Sequence, residues 1–396
     1  MTDNSLRIRV LSAGILGLML MLGVARFAYT PLLPLMLQQA GLSAAQGSWL
    51  ASINYLGYLS GALIAASISD MPLKDRLYRC GIVLALLTTL GMALTTDWRL
   101  WALLRYLAGL SSAAAMLLGS GLILNWLMRH HFRGELGIHF AGAGLGIAGS
   151  SLLVELLSQH FDWRAQWLWF SAIGALLAIP AWRWLPRPGD SSVTISGQPL
   201  ADNPPSRLFL RLLMAAYFCA GIGYVVSATF IVAIIDAQPE LSGMGNRVFM
   251  LIGLAAVPAC ILWDRIARVT GDLNALLIAC VLQIGGIALP LLDPSASAAL
   301  LSALLFGGTF IGIVGLVLTM AGRYYPRHPA KMMGRMTLSY GVAQILAPAL
   351  IAVTVDGDGD YSSGLLLATL AMVIGSLLMA LLKGVEQQQL RVRATA

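Results

Sequence analysis

Residues 10–37 read VLSAGILGLMLMLGVARFAYTPLLPLML, an apolar run that carries a single charge, Arg26. A bilayer core about 30 Å thick is crossed by roughly 20 apolar residues at 1.5 Å per residue, so Val10–Leu37 predicts a membrane-spanning helix with length to spare. It is too long for a secretory signal, contains an arginine and lacks a clear cleavage site, so it reads as a retained span. The rest of the chain repeats the pattern. Of 396 residues, 58% are hydrophobic and 11% charged, and the mean hydropathy is +0.79. A soluble domain carries about 25% charged residues, which excludes a soluble globular protein. The 41 Gly and 16 Pro stand among apolar runs and not in polar tracts, which excludes disorder. Cys80, Cys219, Cys260 and Cys280 show neither a CxxC pair nor ligand spacing and read as small buried hydrophobes.

The same length rule marks Gly47–Ser69, Leu77–Thr95, Leu100–Leu127, Glu135–Gln159 and Trp163–Trp184, then Leu208–Ile235, Val248–Ile266, Leu273–Leu292, Ser297–Ala321, Met333–Val355 and Ser362–Leu382. Barrel strands are excluded, because they alternate every second residue over only about 10 residues. The longest polar stretch, Pro186–Arg207, follows the sixth span and reads as a flexible linker. The fold expected is therefore an all-α polytopic membrane protein of twelve transmembrane helices in two six-helix bundles, residues 1–185 and 208–396, joined by a cytoplasmic linker over 186–207.

Basic residues orient the chain. With the N-terminus inside, the inner connections collect Arg7 and Arg9, Lys74, Arg76 and Arg79, Arg129 and Arg133, Arg183 and Arg187, Arg207 and Arg211, Arg265 and Arg268, the Arg323–Arg335 group and the C-terminal tail. The outer connections hold only Arg99, Arg164 and Arg247. Both termini are expected in the cytoplasm, in a bacterial inner (plasma) membrane. The net charge of +7 follows from this topology, and no basic stripe with aromatic readers suggests nucleic acid as a partner. Trp49, Trp98, Trp101 and Trp163 near outer ends, with Trp126, Trp182, Trp184 and Trp263 near inner ends, match an interfacial aromatic belt.

Two six-span halves leave a cavity between them near the midplane, the layout of a secondary transporter. Several motifs carry a resemblance. Arg105-Tyr-Leu-Ala-Gly109 resembles the span-4 motif of the major facilitator superfamily, and Gly142-Ala-Gly144-Leu-Gly146-Ile-Ala-Gly149 resembles its span-5 antiporter motif without the usual proline. The Asp70-Met-Pro-Leu-Lys-Asp75-Arg76 loop is similar to its span 2–3 gating motif. Arg26-Phe-Ala-Tyr-Thr-Pro31, Asn54-Tyr-Leu-Gly-Tyr58 and Gly223-Tyr-Val-Val-Ser-Ala-Thr-Phe230 resemble the YbfB/YjiJ group of that superfamily. The resemblance implies the major facilitator fold and a transport process, and it implies that Asp70, with Arg76 and Arg79 beside it, helps latch an inner gate against a helix N-terminus of the other half.

Arg26 is the most informative residue. It lies about 3–5 Å from the middle of its span, where a charge costs roughly 2.5–3.5 kcal/mol on the insertion scale. Its side chain must face the protein interior or water. No carboxylate stands near the predicted centre of any other span; Tyr29, Asn54, Tyr55, Tyr58, Tyr224, Gln283, Thr309, Tyr340 and Gln344 at that depth are all neutral. An interior Arg with no protein anion suits a substrate carboxylate, sulfonate or phosphate. The competing reading is an Arg satisfied by carbonyls, tyrosines and water that locks span 1. Tyr29, Asn54, Tyr58, Tyr224, Tyr340 and Gln344 are expected to line the pocket; Tyr217 and Tyr224 share a face of span 7, and Tyr340 and Gln344 one of span 11. Interhelical packing accounts for these stripes about as well. Pro31 and Pro34 are expected to loosen span 1 just beyond Arg26.

Spans 4 and 5 read as a hairpin around His131, which puts Arg105 and Glu155 at nearly equal depth and predicts an ion pair or shared water network. Glu155, the one carboxylate inside a predicted span, is also the candidate proton site. His139 is expected to be a satisfied buried histidine. There is no P-loop, GxSxG elbow or HExxH pair, so no catalytic, metal or cofactor site is expected. The function expected is secondary transport of a small, anionic or amphipathic organic molecule by alternating access, as proton-coupled efflux, from a monomer in the lipid bilayer. The alternative is a non-transporting receptor or assembly factor on the same fold.

Overall fold

The computed structural model describes residues 3–68, 70–130, 132, 136–188, 204–324, 329–354 and 361–395. Ser69, His131, Arg133, Glu135, Arg327, Val355 and most of the Pro186–Arg207 linker lie outside them. The described residues form an all-α protein with twelve helices long and apolar enough to cross a membrane. They are α1 (Asn4–Gln39), α2 (Ala44–Ser67), α3 (Met71–Leu94), α4 (Trp98–Leu127), α5 (Leu136–Leu157) and α6 (Trp163–Trp184), followed by α7 (Arg207–Asp236), α8 (Gly245–Thr270), α9 (Asp272–Leu292), α10 (Ala296–Ala321), α11 (Gly334–Val353) and α12 (Ser362–Glu386). No strand occurs among the described residues. Large apolar side chains such as Leu94, Leu176, Leu292 and Val353 face outward, as a lipid-solvated surface requires.

Short polar residues start the helices. Ser43 and Gln46 form a reciprocal capping box at α2, while Asp97, Asp162 and Ser206 accept backbone N–H bonds at the starts of α4, α6 and α7. These caps satisfy donors that would otherwise stand unpaired at the membrane boundary.

The first helix is not uniform. Met19–Phe27 is wound as a π-helix, with Ala28 N–H donating to Gly23 O at 2.8 Å. Pro31 has no N–H to return to the turn before it, so the backbone widens over the residues that include Arg26. The loosening expected beyond Arg26 thus falls at and before it. A second π segment, Ala114–Gly119, interrupts α4.

Packing places α1 between α4, α5 and α7, α5 along α8, and α2 along α11. Close crossings need glycine. A Cβ on Gly146 would stand 2.8 Å from Gly23 Cα, and one on Gly144 would stand 2.6 Å from Gly253 O. The glycine-rich face of α5 therefore brings α1 to one side and α8 to the other at backbone contact.

Candidate functional site

A central cavity lies between the first six and the last six spans. Arg26, Tyr58, Tyr217, Tyr224, Tyr340 and Gln344 line it together with Phe27, Phe310 and aliphatic side chains. It extends from Leu22, midway along α1, to Phe140, Leu318 and Thr337, in the parts of α5, α10 and α11 nearest the end of the bundle that carries the N-terminus. At the opposite end the halves are stitched together. Thr30 Oγ1 donates to Ala228 O at 2.9 Å, Tyr55 OH meets Thr229 Oγ1 at 3.1 Å, and Ser52 Oγ donates to Ile345 O at 2.9 Å. Ser151 also donates to Asn246 O.

Arg26 is 5% exposed, and no carboxylate pairs with it among the described residues. Its guanidinium carbon stands 4.5 Å from the Tyr55 ring centre and 4.6 Å from that of Tyr58. Its Nε is buried without a hydrogen-bond partner. Phe27 adds a third ring at 5.4 Å, and desolvated cation–π contacts worth about 2 kcal/mol each offset much of the several kcal/mol lost when a cation leaves water. The charge is held by rings and not by a carboxylate.

Of the residues the sequence singles out for the pocket, Tyr58, Tyr224, Tyr340 and Gln344 stand on the cavity wall. Two of the expected lining residues do not. Tyr29 hydrogen-bonds Gly47 O at 2.9 Å and stacks under Arg105, whose guanidinium carbon is 4.3 Å from its ring centre. Asn54 donates to Arg105 O at 2.7 Å. Both face the α1–α2–α4 packing, where depth in the membrane is the same but the helix face differs.

The expected Arg105–Glu155 contact also needs correction. Arg105, 3% exposed, donates to Ala25 O and Arg26 O at 3.3 Å each, filling carbonyls in the widened, Pro31-terminated segment of α1. Glu155 instead accepts from Arg247 Nε at 3.0 Å across the α5–α8 contact. Equal depth did not make the two residues neighbours, because α1 packs between α4 and α5. Asp70 stands exposed and accepts from Leu73 N–H at 2.8 Å, capping its own helix and not one in the other half. Arg79 is buried, pairs with Asp75 at 3.0 Å and donates to Trp182 O and Leu185 O, so it ties α3 to the end of α6. Arg76 is exposed. His139 is fully buried, with Nε2 3.0 Å from Ser120 Oγ.

Sequence reasoning missed Arg247, Asp75 and Phe310. Asp75 and Arg79 do stand at i,i+4, a spacing that brings opposite charges together on a helix, and Phe306 and Phe310 share that spacing.

A sequence-family model described as "Uncharacterised MFS-type transporter YbfB" matches residues 18–380. The chain belongs to the YbfB family of MFS-type transporters. Among relatives of this YbfB-family chain, the inner membrane transport protein YnfM of Escherichia coli is 24% identical over 41% of this chain and 40% of its own length. A probable sugar efflux transporter of Helicobacter pylori is 24% identical over 57% of this chain and 56% of its own. The chain thus spans about half the length of these relatives. The MFS-type transporter YceJ of Bacillus subtilis is 24% identical over 67% of this chain and 69% of its own. Crystal structures with the same fold include a mutant form of the nucleoside transporter NupG, with a TM-score of 0.73 at 13% identity over 95% of this chain and 99% of that one. The D-xylose-proton symporter has a TM-score of 0.70 at 12% identity over 93% and 96%. This YbfB-family protein is a multi-pass membrane protein.

Proposed function

We propose that the protein is a secondary transporter that carries a small organic anion by alternating access, with Arg26 holding the negative group. The observation that carries this reading is the Arg26 guanidinium itself, buried on the wall of the central cavity with no carboxylate beside it among the described residues. An interior cation of this kind gains most from a ligand that supplies the missing charge. The six-span halves, residues 1–185 and 208–396, act as the moving units, joined by the 186–207 linker. With the N-terminus in the cytoplasm, as the basic residues favour, the cavity faces inward and the stitched end is the closed outer gate.

The Glu155–Arg247 pair joins the halves at that outer end, so Glu155 acts as a latch, and proton coupling runs through the making and breaking of this contact. The resemblance of the α5 glycine face to an antiporter motif, and the efflux named for the Helicobacter relative, support outward transport of the anion in exchange for protons. The bacterial inner membrane is the setting, as named for the Escherichia relative.

The test is flux in proteoliposomes. Wild-type protein should exchange labelled organic carboxylates and acidify or alkalinise the lumen in step, read with an entrapped pH dye. Arg26→Ala, checked for folding by its elution and melting curve, should abolish carboxylate flux. Undiminished flux in that variant removes Arg26 from the site.

A further inference from the structure

We propose that the substrate is a monoanionic arylcarboxylate, a flat aromatic ring system bearing one carboxylate. This rests on the anion reading of Arg26 and narrows it to a chemical class. Three features of the cavity select that class.

The first is charge. Among the described residues Arg26 is the one charged side chain on the cavity wall. A dianion or phosphate monoester would bring a second negative charge with no partner into an apolar space, which is costly. The rings of Tyr55 and Tyr58 stand against its carbon, and the guanidinium lies on the cavity wall, where its remaining N–H groups are the donors a ligand would meet. A pair of guanidinium N–H groups matches the two oxygens of a carboxylate.

The second is the balance of polar and apolar wall. One amide, Gln344, whose Oε1 is buried without a partner, and the hydroxyls of Tyr58, Tyr217, Tyr224, Tyr340 and Thr337 are the neutral polar groups. The rest of the lining is aromatic and aliphatic. A ring with a few N–H or O–H groups can pair them there, whereas a sugar with hydroxyls on every side would turn some of them onto apolar wall.

The third is ring geometry. Tyr217 stacks on Tyr340 with centroids 4.5 Å apart and planes at 29°, and Tyr340 meets Tyr224 at 5.7 Å and 31°. Tyr224 continues onto Phe310 at 5.4 Å and 25°. This ladder of near-parallel rings comes from α7, α10 and α11, whereas Arg26 and Tyr58 come from α1 and α2. Offset-parallel rings favour a further flat ring beside them over an equally large aliphatic group. A ligand with its carboxylate on Arg26 and its ring on the ladder touches both halves at once, which couples its binding to their movement.

The experiment is calorimetric titration of the full-length protein in detergent with four probes of matched size: 2-naphthoate, its saturated decahydro analogue, neutral 2-naphthamide and naphthalene-2,6-dicarboxylate. The expected result is saturable binding of 2-naphthoate, roughly tenfold weaker binding of the saturated acid, and no saturable binding of the amide or the dianion. Tyr340→Leu should weaken 2-naphthoate by more than it weakens the saturated acid, so that the roughly tenfold gap between the two narrows. Phe310→Leu provides the same comparison if Tyr340→Leu does not fold, and the comparison of ligands on the native chain needs no variant. Equal binding of the two monocarboxylates overturns the aromatic class and leaves the anion reading standing. Binding of the amide as tight as 2-naphthoate, unchanged in Arg26→Gln, overturns the anion reading itself. No binding of any probe overturns the proposed class, and the flux assay then decides the anion reading alone.

Discussion

Replacing Glu155 by Gln removes the negative half of a side-chain ion pair, Glu155–Arg247, that joins the two six-span halves. The Glu155 and Arg247 side chains are 32% and 63% exposed, so the pair belongs with surface contacts worth about 0.2–1 kcal/mol. That corresponds to a roughly 1.4- to 5-fold shift in the ratio of closed to open outer ends. The shift is modest because the hydrogen bonds from Thr30, Tyr55 and Ser52 remain. Spin labels at His160→Cys and Glu240→Cys, on exposed positions of the two halves at this end, in a background lacking the native cysteines, would report the opening as a longer distance population. In 1 M salt, where the screening length is about 3 Å, the unsubstituted latch should resemble Glu155→Gln. The charge-swapped Glu155→Arg, Arg247→Glu double variant should return the closed population. An unchanged distance distribution in Glu155→Gln at low salt, or a double variant as open as the single ones, would refute the latch.

Other consequences are equally direct. Gly146→Ala sets a methyl 2.8 Å from Gly23 Cα, a backbone contact that cannot swing aside, and should destabilise the protein by about 1–3 kcal/mol, read as a lower melting temperature in detergent. Asp75→Asn leaves Arg79 buried without its carboxylate; the loss should be about 3 kcal/mol, the low end for a broken buried pair, since the Trp182 and Leu185 carbonyls still accept from the guanidinium. An Asp75→Leu, Arg79→Leu double variant should be more stable than Asp75→Asn on the same melting scale. Arg105→Leu strips the donors from Ala25 O and Arg26 O, costing about 1–3 kcal/mol for each orphaned carbonyl. It should weaken carboxylate binding even though Arg26 is untouched, and a variant that binds as the parent does would show that Arg105 does not position the π-helical turn.

The helices were legible because a bilayer selects length and apolarity, which any window of sequence displays. Arg26 was legible for the same reason: a lone cation in the middle of an apolar run has few places to go. What the pattern leaves open is rotation about the helix axis. Arg105 and Glu155 share a depth, but which face each presents depends on α1 packing between α4 and α5, and on π segments that shift the phase of α1 and α4. Tyr29 and Asn54 were drawn to the cavity by their polarity, yet that polarity serves backbone carbonyls. Phe310 lines the cavity but reads like any lipid-facing apolar residue. Asp75 hid inside a loop motif whose implied gating role rested on Asp70, a residue that caps its own helix.

The most direct measurement is an experimental structure of the protein with an aromatic carboxylate bound. The account predicts carboxylate oxygens about 2.7–2.9 Å from the Arg26 guanidinium nitrogens, with the ring beside Tyr224 and Tyr340. A ligand seated elsewhere, or an acidic side chain already occupying that guanidinium, would contradict it.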